Sequence, residues 1–116
     1  MHEVSIALGM IHELERIARE NNAKKITNVK LKIGKMSGIV VDSLTFAFDA
    51  VKLENPVVSD AALSVEEVPL VYECNDCSKT FETDNLYFPS CPVCASYKLK
   101  IISGEEQHIE NVEIEV

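Results

Sequence analysis

With 116 residues, 47% of them hydrophobic and 26% charged, the chain has room for one compact core or a core plus a small lobe, and its composition excludes a disordered protein. Nineteen acidic residues against eleven basic ones leave a formal charge of −8, and no cluster of Lys and Arg could follow a phosphate backbone, so nucleic acid and anionic membranes are not expected as partners. The apolar run over residues 6–11 is too short to cross a bilayer, and Met1-His2-Glu3 lacks the basic start of a secretory signal. A cytoplasmic protein with Met1 as its mature start is expected.

From Ala7 onward, Ala7, Met10, Ile11, Leu14, Ile17 and Ala18 recur on one helical face, with Glu13, Glu15, Arg16, Arg19 and Glu20 opposite. This predicts a helix over residues 5–21, ended by Asn21-Asn22. Thr27, Val29, Leu31 and Ile33 then alternate with polar residues in a half-buried strand over 26–33, and the glycines of 34–38 mark a loop. A second helix is expected over 43–54, capped by Asp42 or Ser43, with Leu44, Ala47, Phe48 and Val51 inward and Pro56 as its stop. Strands follow at 62–68 and at the C-terminus, where Val112, Ile114 and Val116 alternate with Glu113 and Glu115.

Between those last strands, residues 70–105 differ in character and hold all four cysteines. The expected fold is therefore α+β, with two helices packed on a small mixed β-sheet and an inserted zinc-ribbon-like lobe. The expected domains are 1–69 plus 106–116, and 70–105.

Cys74-Asn75-Asp76-Cys77 and Cys91-Pro92-Val93-Cys94 form two CxxC knuckles separated by 13 residues. A gap of two residues turns both sulfurs of a knuckle toward one ion, and two knuckles close a tetrahedral four-thiolate site with no open position. Two disulfides, a redox CxxC and an iron tetrathiolate are the alternatives. A reducing cytosol and the paired spacing favour structural zinc held by Cys74, Cys77, Cys91 and Cys94.

Met1-His2-Glu3 offers a different donor set. An α-amine has a pKa of about 8 and deprotonates readily for a metal. The amine, the His2 amide nitrogen and the His2 imidazole form fused chelate rings that favour Ni(II) or Cu(II), with Glu3 as a fourth donor. Read alone, a histidine at position 2 is more often a solvated terminal residue. His12 and His108 read as surface or packing residues, and Asp42 as a helix cap before a ligand. No nucleophile pattern, phosphate-binding glycine motif or open metal site suggests an enzyme.

Taken together, Met1-His2-Glu3-Val4-Ser5, the strand and loop over 29–38, the segment over 43–48 and both knuckles resemble the HypA/HybF family of hydrogenase nickel incorporation proteins over the whole chain. The resemblance implies a nickel metallochaperone for the nickel-iron hydrogenase site, with His2 as nickel ligand and a separate structural zinc on the four cysteines. It implies the GTPase HypB and the hydrogenase large-subunit precursor as partners, and a monomer or weak homodimer is expected. Lys35 departs from the acidic residue usual in the family after the strand-ending glycine. Asp42 remains a candidate second ligand. The competing readings are a zinc-ribbon adaptor without a second metal and an iron tetrathiolate electron carrier.

Overall fold

The computed structural model describes residues 2–116, with His2 described by its backbone alone. Helix α1 spans His2–Glu20, β1 Lys25–Gly34, α2 Val41–Val51, β2 Ala62–Val68, β3 Val71–Cys74, β4 Thr80–Glu82, β5 Leu99–Ser103 and β6 Gln107–Glu115. Two three-stranded sheets result, ordered β2-β1-β6 and β4-β3-β5. The fold is α+β, as the sequence leads one to expect.

The chain divides into two compact units. The first takes in the chain up to Leu31, Ile39–Glu66 and His108–Val116. Its core holds Ala7, Met10, Ile11, Leu14 and Ala18 of the anticipated α1 stripe, with Ile17 half-buried, the buried Ile26, Val29 and Leu31 of β1, and Leu44, Ala47 and Phe48 of α2. Among the described residues no polar or charged side chain is fully buried, so burial here carries no unpaired-charge penalty.

The end of α1 follows from its sequence. Asn22 adopts φ 52°, the left-handed conformation that asparagine tolerates, while the Ala23 N–H donates to the Ala18 carbonyl at 2.9 Å and the Asn22 N–H to that of Arg19 at 3.3 Å. These two bonds make a Schellman motif that satisfies carbonyls otherwise left open at the helix end. On the outer face Arg16 bridges Glu13 and, at 2.7 Å, Glu20. The Arg16 guanidinium, through its hydrogen bond, holds the Glu13 carboxyl below the usual carboxylate range.

Helix α2 begins two residues earlier than the sequence suggests, and neither Asp42 nor Ser43 caps it. Its N-cap is Val40, in extended backbone and without a side-chain cap bond, and the Leu44 N–H reaches the Val40 carbonyl at 3.0 Å. The left-handed Gly38 (φ 75°) ends the short 3-10 turn Lys35–Ser37, and the helix starts soon after it, carrying Asp42 into the first turn. The macrodipole favours a carboxylate there even without a cap. Beyond Val51 a 3-10 turn, Lys52–Glu54, tightens the exit. Lys52 donates to the Ala61 carbonyl at 2.9 Å, pairs with Asp49 at 3.2 Å and lies 5.7 Å from the Phe48 ring centroid.

The second unit comprises Lys32–Gly38 and Glu67–Gln107. Strand β3 pairs antiparallel with β4 (Tyr72 opposite Phe81) and with β5 (Tyr72 opposite Ile101), with a bulge between Val71 and Tyr72. The Tyr72 and Phe81 rings sit 5.8 Å apart. Lys35 forms an ion pair with Asp84.

Gly34 fixes a close backbone approach. Its N–H donates to the Glu106 carbonyl at 2.7 Å, the Met36 N–H donates to the Gly104 carbonyl at 2.8 Å, and a Cβ on Gly34 would overlap the Gly104 carbonyl. Because the obstruction is backbone, no rotamer change relieves it. Gly34→Ala is expected to destabilise the protein by about 3 kcal/mol, read as a lower urea midpoint at unchanged slope. A midpoint equal to that of the parent would refute the close approach.

Candidate metal centre

The two knuckles are built alike. In the first, the Cys74 N–H donates to the Lys79 carbonyl at 2.8 Å and the Ser78 N–H to the Cys74 carbonyl at 2.9 Å. In the second, the Cys91 N–H donates to the Ser96 carbonyl and the Ala95 N–H to the Cys91 carbonyl, both at 2.8 Å. Ser78 (φ 64°) and Ala95 (φ 62°) occupy equivalent left-handed positions. Each turn thus reverses the chain directly after its second cysteine. Ser96 Oγ also donates to the Asp76 carboxylate, and the Asn75 N–H donates to the Lys98 carbonyl at 2.8 Å, tying one knuckle to the other.

This construction gathers all four sulfurs within 4.8 Å of one another. Cys74 Sγ lies 3.5 Å from Cys94 Sγ, and Cys77 Sγ 3.6 Å from Cys91 Sγ. Both separations far exceed a disulfide bond of about 2.0 Å. Four sulfurs about 2.3 Å from a central zinc stand about 3.8 Å apart, so the spacing fits a tetrahedral ion. The Val93 N–H points at Cys91 Sγ at 3.4 Å, the kind of donor that stabilises a thiolate ligand.

Electrostatics agree with this geometry. The backbone N–H groups of Cys94 and Val93 bring the Cys91 thiol down to about 7, burial notwithstanding. At Cys94 the Ser96 N–H also favours the thiolate, but the neighbouring Cys74 sulfur, burial and the remaining sulfurs push the group up to about 12. The Lys79 N–H acts likewise on Cys77, yet burial and the Cys91 and Cys74 sulfurs leave that thiol raised. Four thiols this close cannot all ionise unaided, and a bound cation removes the conflict.

The left-handed turns carry a testable cost. In that conformation a Cβ costs about 1–2 kcal/mol, and removing it adds about 0.4–1 kcal/mol of unfolded-chain entropy. Ala95→Gly is therefore expected to raise stability of the metal-loaded protein by about 0.5–1 kcal/mol, read as a higher thermal midpoint. A lowered midpoint would show that Ala95 is unstrained.

The other candidate residues lie in the first unit. Met1 and the His2 side chain lie outside the described residues. The His2 backbone opens α1. The half-buried Glu3 and the exposed Asp42 line one groove together with Val4, Phe46, Ala50 and Val51. The juxtaposition of residues 3 and 42 is not visible in sequence spacing. His12 is exposed on α1, and the exposed His108 on β6 bonds Glu110 at 3.1 Å.

A small α+β protein with a ribbon-like four-thiol cluster is the class that fold and site define. Residues 1–114 match the model of the family described as hydrogenase/urease nickel incorporation metallochaperone HypA. The chain belongs to the HypA family. It is 40% identical to the hydrogenase maturation factor HypA of Prosthecochloris aestuarii, over 99% of this chain and 100% of that one. With the HypA of Aquifex aeolicus it shares 40% identity over 100% of this chain and 99% of the other. The solution structure of the Ni metallochaperone HypA from Helicobacter pylori aligns with a TM-score of 0.68 at 30% identity, covering 97% of each chain.

Proposed function

We propose that this chain binds Ni(II) at its N-terminus and delivers it during maturation of nickel-iron hydrogenase, while a separate structural zinc is held by Cys74, Cys77, Cys91 and Cys94. The observation that carries the reading is the family match over residues 1–114. Coordination chemistry supports the division of labour. A closed four-thiolate site suits a permanent ion, because no ligand position is open to a recipient. Cargo needs a donor set at an accessible end of the chain, where another protein's ligands can approach it.

On this reading the Met1 amine, the His2 amide nitrogen and the His2 imidazole hold nickel. The first N–H groups of a helix have no intrahelical acceptor, so using the His2 amide nitrogen breaks no bond of α1. A cation at a helix N-terminus opposes the macrodipole, and nearby carboxylates offset that cost. Glu3 and Asp42, which share one groove, are the candidates for this role. Nickel binding is assigned to 1–69 plus 106–116 and zinc binding to 70–105, while Lys32–Gly38 packs in the compact unit that holds the cysteines. The protein is not an enzyme. It works in the cytoplasm as a monomer or weak homodimer with the GTPase HypB and the hydrogenase large-subunit precursor. Among the described residues, no helix is long and apolar enough to cross a membrane.

The test is complementation of a strain lacking its own gene for this factor. The wild-type chain restores nickel-dependent hydrogenase activity, and His2→Ala does not. Full restoration by His2→Ala would overturn the delivery role of the terminus.

A further inference from the structure

Helix α2 carries a second apolar stripe that its own core does not use. Phe46, Ala50 and Leu53 follow at helical spacing on the side away from Leu44 and Phe48. Phe46 is 77% exposed and Leu53 69%. Phe46 and Ala50 border a groove of about 470 Å³, with Val4 on α1 and Val51 on α2 among its other walls, and Glu3 and Asp42 add negative charge. A large aromatic side chain left in water forgoes the favourable transfer of its apolar surface.

We propose that this groove is a docking site for a partner protein's amphipathic helix that presents apolar side chains to Phe46, Ala50 and Val4 and Lys or Arg residues to Glu3 and Asp42. A helix seated in a helix-lined groove places anchors at i, i+3, i+4 and i+7, which suits the spacing of Phe46, Ala50 and Leu53. Charge selects the occupant. A second copy would bring its own Glu3 and Asp42 against these, on a chain of net charge −8, whereas a basic helix is attracted. A lipid surface is disfavoured for the same reason, since anionic headgroups would meet carboxylates. The proposal concerns the nickel-free chain: Glu3 and Asp42 are the carboxylates also offered to nickel, so the groove is tested without that ion, and its apolar walls need none.

The test titrates zinc-loaded, nickel-free full-length protein with a model amphipathic helix of Leu and Lys, about 18 residues long, followed by fluorescence and backbone amide NMR. Saturable binding with shifts centred on Val4, Phe46, Ala50 and Val51 is expected. Phe46→Ala is expected to weaken it at least about tenfold, and Ala50→Arg, which blocks the groove and opposes the peptide's charge, by as much or more. Asp42→Asn is expected to weaken it about threefold and to flatten its salt dependence. Both groove positions are exposed, so circular dichroism of the two variants should be unchanged, and a variant that fails this control yields the decision to the other. Equal affinity in Phe46→Ala and Ala50→Arg would overturn the site, leaving only attraction to the acidic surface. Equal affinity for the same peptide with Glu replacing Lys would overturn the basic partner, and self-association abolished by Phe46→Ala would assign the groove to a second copy instead.

Discussion

Replacing any one of Cys74, Cys77, Cys91 or Cys94 with Ala is expected to lower zinc affinity by about two to three powers of ten and to unfold the lobe around β3, β4 and β5. Structural zinc sites supply about 10–16 kcal/mol of apparent binding energy, so loss of one of four thiolates costs about 2.5–4 kcal/mol even before geometry relaxes. The lobe has few substitutes for that energy: its buried hydrophobic residues are Ile33, Leu70, Tyr72 and two of the cysteines themselves, Cys74 and Cys91. The α1 and α2 core, with its own buried stripe, should keep its helical signal. Zinc retained at one equivalent after a chelator challenge in any single variant would contradict the closed four-thiolate assignment.

The same site sets a direction with pH. Loading zinc converts thiols to thiolates and releases their protons, so affinity rises with pH and falls on acidification. The Cys91 thiol is brought down to about 7, while Cys94 stands near 12 and Cys77 is also raised. Well below about pH 7 Cys77, Cys91 and Cys94 are therefore protonated without metal, and affinity should fall by about three powers of ten per pH unit or more. A competition titration between pH 5 and 8 reads this slope. A flat profile would exclude thiolate ligation.

Much of this was legible in the sequence where a single periodicity or spacing decides the structure. The stripe from Ala7 to Ala18 is a helical repeat with one solution, and the buried residues of α1 are the anticipated ones. The CxxC spacing likewise foretells that four sulfurs converge. Sequence reasoning stops where a tertiary approach decides. The overlap that forbids a side chain at Gly34 arises from Gly104, seventy positions away in the chain. The left-handed Ser78 and Ala95 carry no glycine to announce their turns.

Strand β6 shows the same boundary from another side. Strict alternation over 112–116 predicts a strand only there, yet β6 begins at Gln107. Ile109 and Val112 are the half-buried residues of its first part, three positions apart, so the face shifts within the strand and the period of two is broken. The short strands β3 and β4, of four and three residues, are below the length at which alternation can be read. The sequence offers Asp42 or Ser43 as a cap, but Asp42 stands in the first turn of α2, beside a groove that the folded chain assembles.

His2→Ala, or a short extension placed before Met1, is expected to abolish tight nickel binding while zinc content and fold stay intact. The substitution removes the imidazole. The extension keeps every side chain but converts the terminal amine to an amide and destroys the first chelate ring, so two unrelated changes should fail alike. Neither touches a cysteine or the buried stripe of α1, and stability should shift by no more than about 0.5 kcal/mol. Asp42→Asn, which keeps the shape of the groove and removes one charge, tests the carboxylate separately. The most direct measurement is calorimetric nickel titration of the zinc-loaded protein, parent against His2→Ala and the extended chain. One equivalent of nickel bound tightly by the parent, with affinity reduced at least about a hundredfold in both variants, is the predicted result. Undiminished affinity in His2→Ala would contradict the terminal nickel site itself.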